Sequence, residues 1–582
     1  MSPLWGRWRK RCANWLVRLA GAEHPGRVNL RPRHGQRLSF EPLESRAMLA
    51  NLAPINSLPA SFNAPSTTVA ALTGISISDA DAGSSTVNVV FDVQHGTLSL
   101  PTNVAGGLTI SDFSGNGTAQ LSIFAPLSAI NATLQSASGL QYTSDYEYLG
   151  SDTLTLTTND LGSTGGPALI DTDTVNLSVG INATIDVAGH LSLLGTSSND
   201  NVSFLRTSTG VTVTINGVIS SFPSITSFSF DGQSGNDVID VFTSPTTSAD
   251  LYLFTPGQLT ITGANVDATF RAENIKATGG INDTAQLVGD TATPSGFFGG
   301  IGTLTLNSGI FQSSVANFPK TYVYGRTTTD SAFMLDAPGN DTFYLLSGQA
   351  TQVKNDGSLI TLVGFEQVIA QSFGNGADKV LLYDTPGNDY FNFTPAVAQM
   401  VGNGSNLIAY GFKSVYGYAS SGRDLATMWD SAGNDTFTGY PTYSILSGVG
   451  FFGQAIGFDA AVARSIGGYD VAMLYDSPGT DYFYGSTTTC IMSNPSYYNQ
   501  VFGFESVQAT ANRGGRDFVY ITGSFNSNDI TAVSNRFSLV TPSITMKLIG
   551  FDDVNFTSPV GSLSRRQIRA VDYVLKTVGV FR

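Results

Sequence analysis

Residues 378–393 read DKVLLYDTPGNDYFNF. An apolar strand opens behind Asp378, a Thr-Pro-Gly-Asn turn follows Asp384, and a second strand starts after Asp389. Pro386 fixes φ and Gly387 permits a positive φ, the pair a type II turn requires. Strand residues alternate sides, so Phe391, two residues beyond Asp389, points the same way as that Asp, with Asp at the rim. Val380 and Leu382 share one face and read as core, while Tyr383 ends the opposite face.

The pattern repeats along the chain. DSAFMLDAPGNDTFYL stands at 330–345, DLATMWDSAGNDTFTG at 424–439 and DVAMLYDSPGTDYFYG at 470–485. The leading Asp recurs at Asp237, Asp283, Asp330, Asp378, Asp424, Asp470 and Asp517, in steps of 46 to 48 residues. A Gly-Phe pair recurs at Gly364, Gly411, Gly457, Gly503 and Gly550, in steps of 46 or 47. Two markers with one period define a seven-unit array over residues 182–560. About four short strands per unit fit a β-solenoid, in which units stack along an axis. The alternative is a seven-bladed β-propeller, whose blades have four strands each. No W-D or kelch signature is present. The strings SGND, PGND and GGRD resemble the turns of repeat-toxin and other bacterial solenoid sequences, which supports the solenoid.

The totals agree with an all-β chain. Of 582 residues only 13% are charged, but 36 Phe and 22 Tyr are available for burial and 63 Gly for turns. The length calls for more than one folding unit. Residues 1–46 hold ten Lys or Arg and three acids, so the remainder carries a balance of −22. A body this acidic repels nucleic acid and anionic lipid, and suits an extracellular protein or one that collects cations. The two cysteines are Cys12 and Cys490, so loss of the leader would leave no intrachain disulfide.

Residues 1–50 read as a basic export leader. Arg7, Arg9, Lys10 and Arg11 precede a short apolar stretch, Trp15 to Ala20, that Arg18 interrupts; it is too short and too charged to span a bilayer. RLSFEPLESRAMLA follows at 37–50. Phe40, Glu41, Pro42, Leu43, Glu44, Arg46, Leu49 and Ala50 resemble the N-terminal export motif of planctomycete extracellular proteins, with Met48 where those proteins usually carry Leu. The resemblance implies export to the cell surface or beyond.

Residues 51–181 begin with a Pro-, Ser- and Thr-rich linker and continue as short alternating strands with one short helical turn over Leu127–Leu134, which suggests an antiparallel sandwich. SDADAG (78–83), QHGTLSL (94–100), GSDTLTLTTNDLG (150–162) and DTDTVNLSV (171–179) are similar to the cadherin-like, immunoglobulin-type modules of bacterial surface proteins. In such modules acids at strand ends often hold calcium, which here points to Asp79, Asp81, Asp160, Asp171 and Asp173.

Three chemistries are open to the array. Calcium could be shared by Asp341, Asp389, Asp435 and Asp481 if adjacent units stack their turns; the same carboxylates can instead accept hydrogen bonds from turn amides. A glycan-binding stripe is suggested by Tyr383, Trp429 and Tyr475, aromatic rings at one equivalent position of three adjacent units. Catalysis finds little support. Acids recur in every unit, whereas an active site is singular, and only His95 and His190 lie beyond the leader. No zinc, phosphate-loop or nucleophile-elbow motif is present.

In residues 561–582, Ile568, Val571, Val574, Leu575 and Val578 fall at helical spacing among Arg565, Arg566, Arg569 and Lys576, which predicts a short amphipathic helix capping the last repeat. The whole reads as a non-catalytic, exported scaffold or adhesion protein, partnered with cell-surface or matrix components. A carbohydrate-binding protein or polysaccharide-active enzyme on the same scaffold is the alternative.

Overall fold

The computed structural model describes residues 51–579, except 67, 147, 163–164, 208–209, 244–248, 264–266, 301, 375, 524–527 and 559–563. The expected export leader, residues 1–50, lies outside the described residues. More than half of what is described is strand, and the one α-helix there is Leu127–Leu134. Buried apolar side chains separate into two cores, one running from Phe62 to Val179 and the other from Ile181 to Tyr573.

The first core lies among three sheets. The largest has six strands in the order Ser61–Pro65, Ile170–Gly180, Gly150–Asn159, Thr86–Asp92, Gln120–Pro126 and Phe113–Ser114. Ala70–Leu72, Leu140–Ser144 and Gly96–Ser99 form a second sheet, and Ile55–Ser57 pairs with Ser76–Ser78. Alternation along Thr86–Asp92 sends Val87, Val89 and Phe91 inward, as its period of two predicts.

The second core fills a β-solenoid made of one 22-stranded and one 21-stranded sheet. From Asp378 the chain lays Lys379–Tyr383 into the larger sheet. It crosses to place a meander of Tyr390–Phe393, Val397–Gly402 and Ser405–Tyr410 in the smaller one, then returns with Ser414–Tyr418. The next unit does the reverse. Leu425–Trp429 and Ala460–Arg464 enter the smaller sheet, and the meander of Thr436–Gly439, Tyr443–Gly448 and Phe451–Ile456 enters the larger. Parallel pairing joins successive turns, as when Ser414–Tyr418 lies between Lys379–Tyr383 and Phe451–Ile456. These open ladders are not closed blades, so the propeller alternative falls.

Each unit therefore has five strands, one more than its sequence suggests, because the irregular middle stretch is itself two paired strands. It also visits a sheet three times. An odd number of visits hands the next unit to the opposite sheet, so the sequence repeat is half of the structural one. At about 4.8 Å per strand, two units advance about 24 Å and the 22-stranded ladder runs about 100 Å.

The core is built in columns. Ala332 and Met334, Val380 and Leu382, Ala426 and Met428, Ala472 and Leu474, and Val519 and Ile521 are buried, as their spacing predicts. Phe343, Phe391, Phe437 and Phe483 are fully buried beside them, and the Gly-Phe phenylalanines Phe365, Phe412, Phe458, Phe504 and Phe551 are buried too. Gly457 shows why Gly precedes those rings: its φ is +81°, and a Cβ there would lie 2.5 Å from the Ala419 carbonyl oxygen. The Pro-Gly turn is less uniform than expected. Gly339 and Gly387 take positive φ, but Gly479 is absent from the positive-φ glycines.

The predicted C-terminal helix is not formed. Ser564–Val571 and Val574–Val578 are strands, parallel to Asn528–Ser534 and Asp553–Thr557 respectively. Helical spacing was present, but the segment is rich in β-branched residues and meets two sheet edges whose N–H and C=O groups need partners. The template outweighs the local periodicity.

Candidate metal centre at the stacked turns

Three kinds of turn carry the chain between sheets, and they stack. Along one side of the solenoid a long turn (384–389), a medium turn (419–424) and a short Gly-Phe turn (457–459) lie on consecutive rungs; along the other, 430–435, 465–470 and 503–505 do so. The medium and short turns end in an acid whose carboxylate accepts the backbone N–H of the equivalent residue on the preceding rung. Asp389 N–H donates to Asp424 (2.9 Å), and Asp424 N–H to Asp459 (2.9 Å). On the other side Asp435 N–H donates to Asp470 (2.8 Å), and Asp470 N–H to Glu505 (2.8 Å). Asp481, Asp517 and Asp552 repeat the arrangement, as do Asp200, Asp237 and Glu273. The acids at the repeat period thus close the ends of the sheet ladders, where a buried N–H would otherwise lack a partner.

The Asn of the turn forms a parallel ladder: the Asn340, Asn388 and Asn434 side chains accept the N–H groups of Ala377, Arg423 and Tyr469. A third ladder uses the Asp at the start of the long turn. Asp336, Asp384, Asp430 and Asp476 accept the N–H groups of Phe373, Ser420, Ile466 and Arg513.

Stacking brings three carboxylates together at two of the long turns. Oxygens of Asp384, Asp389 and Asp424 lie within 4.8 Å of one another, as do those of Asp430, Asp435 and Asp470, and either triad could hold a metal ion. All three acids of the second triad are buried, at 1%, 2% and 0% exposure. Burial, together with the neighbouring Asp470 and Asp435 carboxylates, pushes Asp430 up to about 7 against the Ile466 N–H that favours its charge. Burial also raises Asp424, with Asp384, Asp389 and Asp459 adding repulsion. Asp517 is pushed up to about 6 by burial and by Asp481, Asp476 and Asp552. Among the described residues, no Lys or Arg forms an ion pair with any member of the two triads.

The expected ligands are partly brought together. Asp389 and Asp435 each belong to a triad. Asp341 and Asp481 occupy the same place in their turns and accept the Ala337 and Ser477 N–H groups (2.6 and 3.0 Å). Amide acceptance is therefore real at this position, and it leaves the triads intact. The sequence reading missed their other members, Asp384, Asp424, Asp430 and Asp470. The signal was present: Asp recurs six and eleven residues after four of the seven leading Asp residues, as in Asp378, Asp384 and Asp389. The third ligand comes from the next unit, which no single unit reveals.

In the first core, Asp79 caps its own turn by accepting the Asp81 and Ala82 N–H groups, and Asp81 accepts the Leu52 N–H. Asp160 accepts the Gly162 and Leu169 N–H groups, Asp171 accepts the Asn56 N–H, and Asp173 lies along Ile170–Gly180. Among the described residues none of these joins a group of three acids able to hold a metal ion.

The aromatic stripe is corrected. Tyr383 and Tyr475 stand on the 22-stranded sheet and Trp429 on the 21-stranded one, because successive units change sheets. Each ring has its own partner: Tyr383 stacks on Tyr418 (4.9 Å between centroids), Tyr475 on Tyr440 (4.4 Å), and Arg464 lies over Trp429 (5.3 Å). His190 bonds Ser227 and Ser229 (2.7 and 3.0 Å), and His95 stacks on Tyr148.

No known protein family matches the chain, and no curated protein is similar to it.

Proposed function

We propose that the chain is an exported, non-catalytic scaffold or adhesion protein of the cell surface or extracellular matrix. Residues 1–50 address it, residues 51–181 form a cadherin-like, immunoglobulin-type module, and the solenoid is a spacer whose stacked acidic turns take calcium. One observation carries this reading: the leading Asp is spent alike in every unit, as an acceptor for a backbone N–H on the neighbouring rung. Repetition of one structural use, unit after unit, is what a spacer requires, and the acidic balance and export string agree with it. Calcium suits the turns because hard oxygen ligands favour it.

Polysaccharide binding is a second reading. It is favoured by a patch on the 21-stranded sheet, where Tyr482 stacks on Phe518 and Tyr484 on Tyr520, each at 5.5 Å. Tyr484 and Tyr520 are 44% and 37% exposed, so their faces are open to a sugar ring.

The address is the testable part. In a planctomycete host, the tagged full chain should label intact cells with an antibody. A variant carrying Glu41→Ala and Glu44→Ala should lose most surface signal at equal expression. Equal labelling of both, or cytoplasmic retention of both, would remove the export reading.

A further inference from the structure

We propose that Asp430, Asp435 and Asp470 bind one calcium ion between two successive turns, and that Arg206 supplies the corresponding positive charge in the first unit. The inference deepens the calcium-stabilised reading by naming a site.

The first support is an unmet valence. Asp430 Oδ2 and Asp435 Oδ1 are buried and have no hydrogen-bond donor. The donors that do reach this triad, the N–H groups of Ile466, Ser431 and Asp435 and the hydroxyls of Ser431 and Ser465, are taken by the other oxygens of Asp430, Asp435 and Asp470. Three carboxylates with a few amides and no basic side chain are a costly combination in a water-poor place. A divalent cation removes most of that charge, and carboxylate oxygens are its preferred ligands. Gly448 makes room for this carboxylate: a Cβ there would lie 1.6 Å from Asp435 Oδ1.

The second support comes from the unit that begins at Asp237. Asp250 has the place of Asp435, since its N–H donates to Asp283 (2.9 Å) as that of Asp435 does to Asp470. Six residues after the leading Asp, where Asp430 stands, this unit has Thr243. In register with Thr243 on the preceding strand is Arg206, whose Nη1 is 2.7 Å from Asp250 Oδ2, with both side chains buried. Where one carboxylate of the set is replaced, a guanidinium sits against the remaining buried acid. The fold thus places a cation at this point of the turn and provides it covalently once. At Asp430, Asp435 and Asp470 the third carboxylate is present and no guanidinium is.

The test is an ion count on the purified full chain after treatment with a chelator. Equilibrium dialysis with calcium, and with magnesium as a control, should give one tightly held calcium ion. Asp430→Asn should lose it and show a smaller calcium-induced rise in melting temperature. Its calcium-free form should melt no lower than calcium-free wild type, because a like charge has been removed. Asp435→Asn should lose the ion as well, and it carries the test if Asp430→Asn does not fold. Arg206→Met should melt lower both with and without calcium. The assignment is overturned if wild type binds no calcium, as when Asp430 and Asp470 share a proton instead, or if both Asn variants keep the full count. Either failure leaves the scaffold reading standing, because that reading is tested by surface labelling.

Discussion

Replacing Phe437 with alanine is expected to cost about 3–5 kcal/mol, the range for removing a fully buried ring from a packed core. Phe437 is 0% exposed and belongs to the column of Phe343, Phe391 and Phe483. Its ring lies 6.3 Å from that of Phe504, the Gly-Phe residue on which its turn rests. The cavity would open between rungs, where the backbone is held on both sides by ladder pairing and cannot collapse to fill it. In a repeat stack the damage is local, so hydrogen exchange should accelerate first at Thr436–Gly439 and at the neighbouring strands Tyr443–Gly448 and Val471–Tyr475. Trp429→Ala is the comparison. Trp429 is larger but 38% exposed, and its loss should cost about 1 kcal/mol or less of stability. Equal costs at the two sites would contradict the assignment of inner and outer faces.

Gly448→Ala is expected to cost about 3 kcal/mol, at the upper end for overpacking, although only a methyl group is added. The new Cβ would lie 1.6 Å from Asp435 Oδ1 and 2.5 Å from the Phe451 ring. Relief requires moving Asp435, which accepts the Ser431 N–H and hydroxyl through its other oxygen and donates its own N–H to Asp470. Gly450→Ala, two residues on, has nothing within 4 Å of its Cβ but a φ of +86°, so its smaller cost, about 1 kcal/mol, would come from the backbone alone. Urea denaturation of the pair separates the two causes. A Gly448→Ala midpoint no lower than that of Gly450→Ala would show that Asp435 does not occupy the position assigned to it.

Much of the solenoid was legible in the sequence. The period, the leading Asp, the Gly-Phe pair and the inward columns follow from side-chain alternation within one unit, and each is where the pattern puts it. What a single unit cannot display is the relation between units. Equivalent residues such as Tyr383 and Trp429 look like neighbours on one stripe, but three sheet visits per unit send them to opposite sheets. The metal-type triads were half visible for the same reason: Asp430 and Asp435 belong to one unit and Asp470 to the next. The tail failed differently. Ile568, Val571 and Leu575 do have helical spacing, yet a strand edge waiting to be paired is a stronger constraint than a pattern with nothing to pack against.

The central claim is that the 46-residue units stack along an axis as two continuous sheets. Small-angle X-ray scattering of the purified chain tests it most directly. A ladder of 22 strands sets interatomic distances that extend to at least about 100 Å. The expected result is a rod-like profile reaching that length. A radius of gyration near about 25 Å, the value for a compact chain of this size, would contradict it.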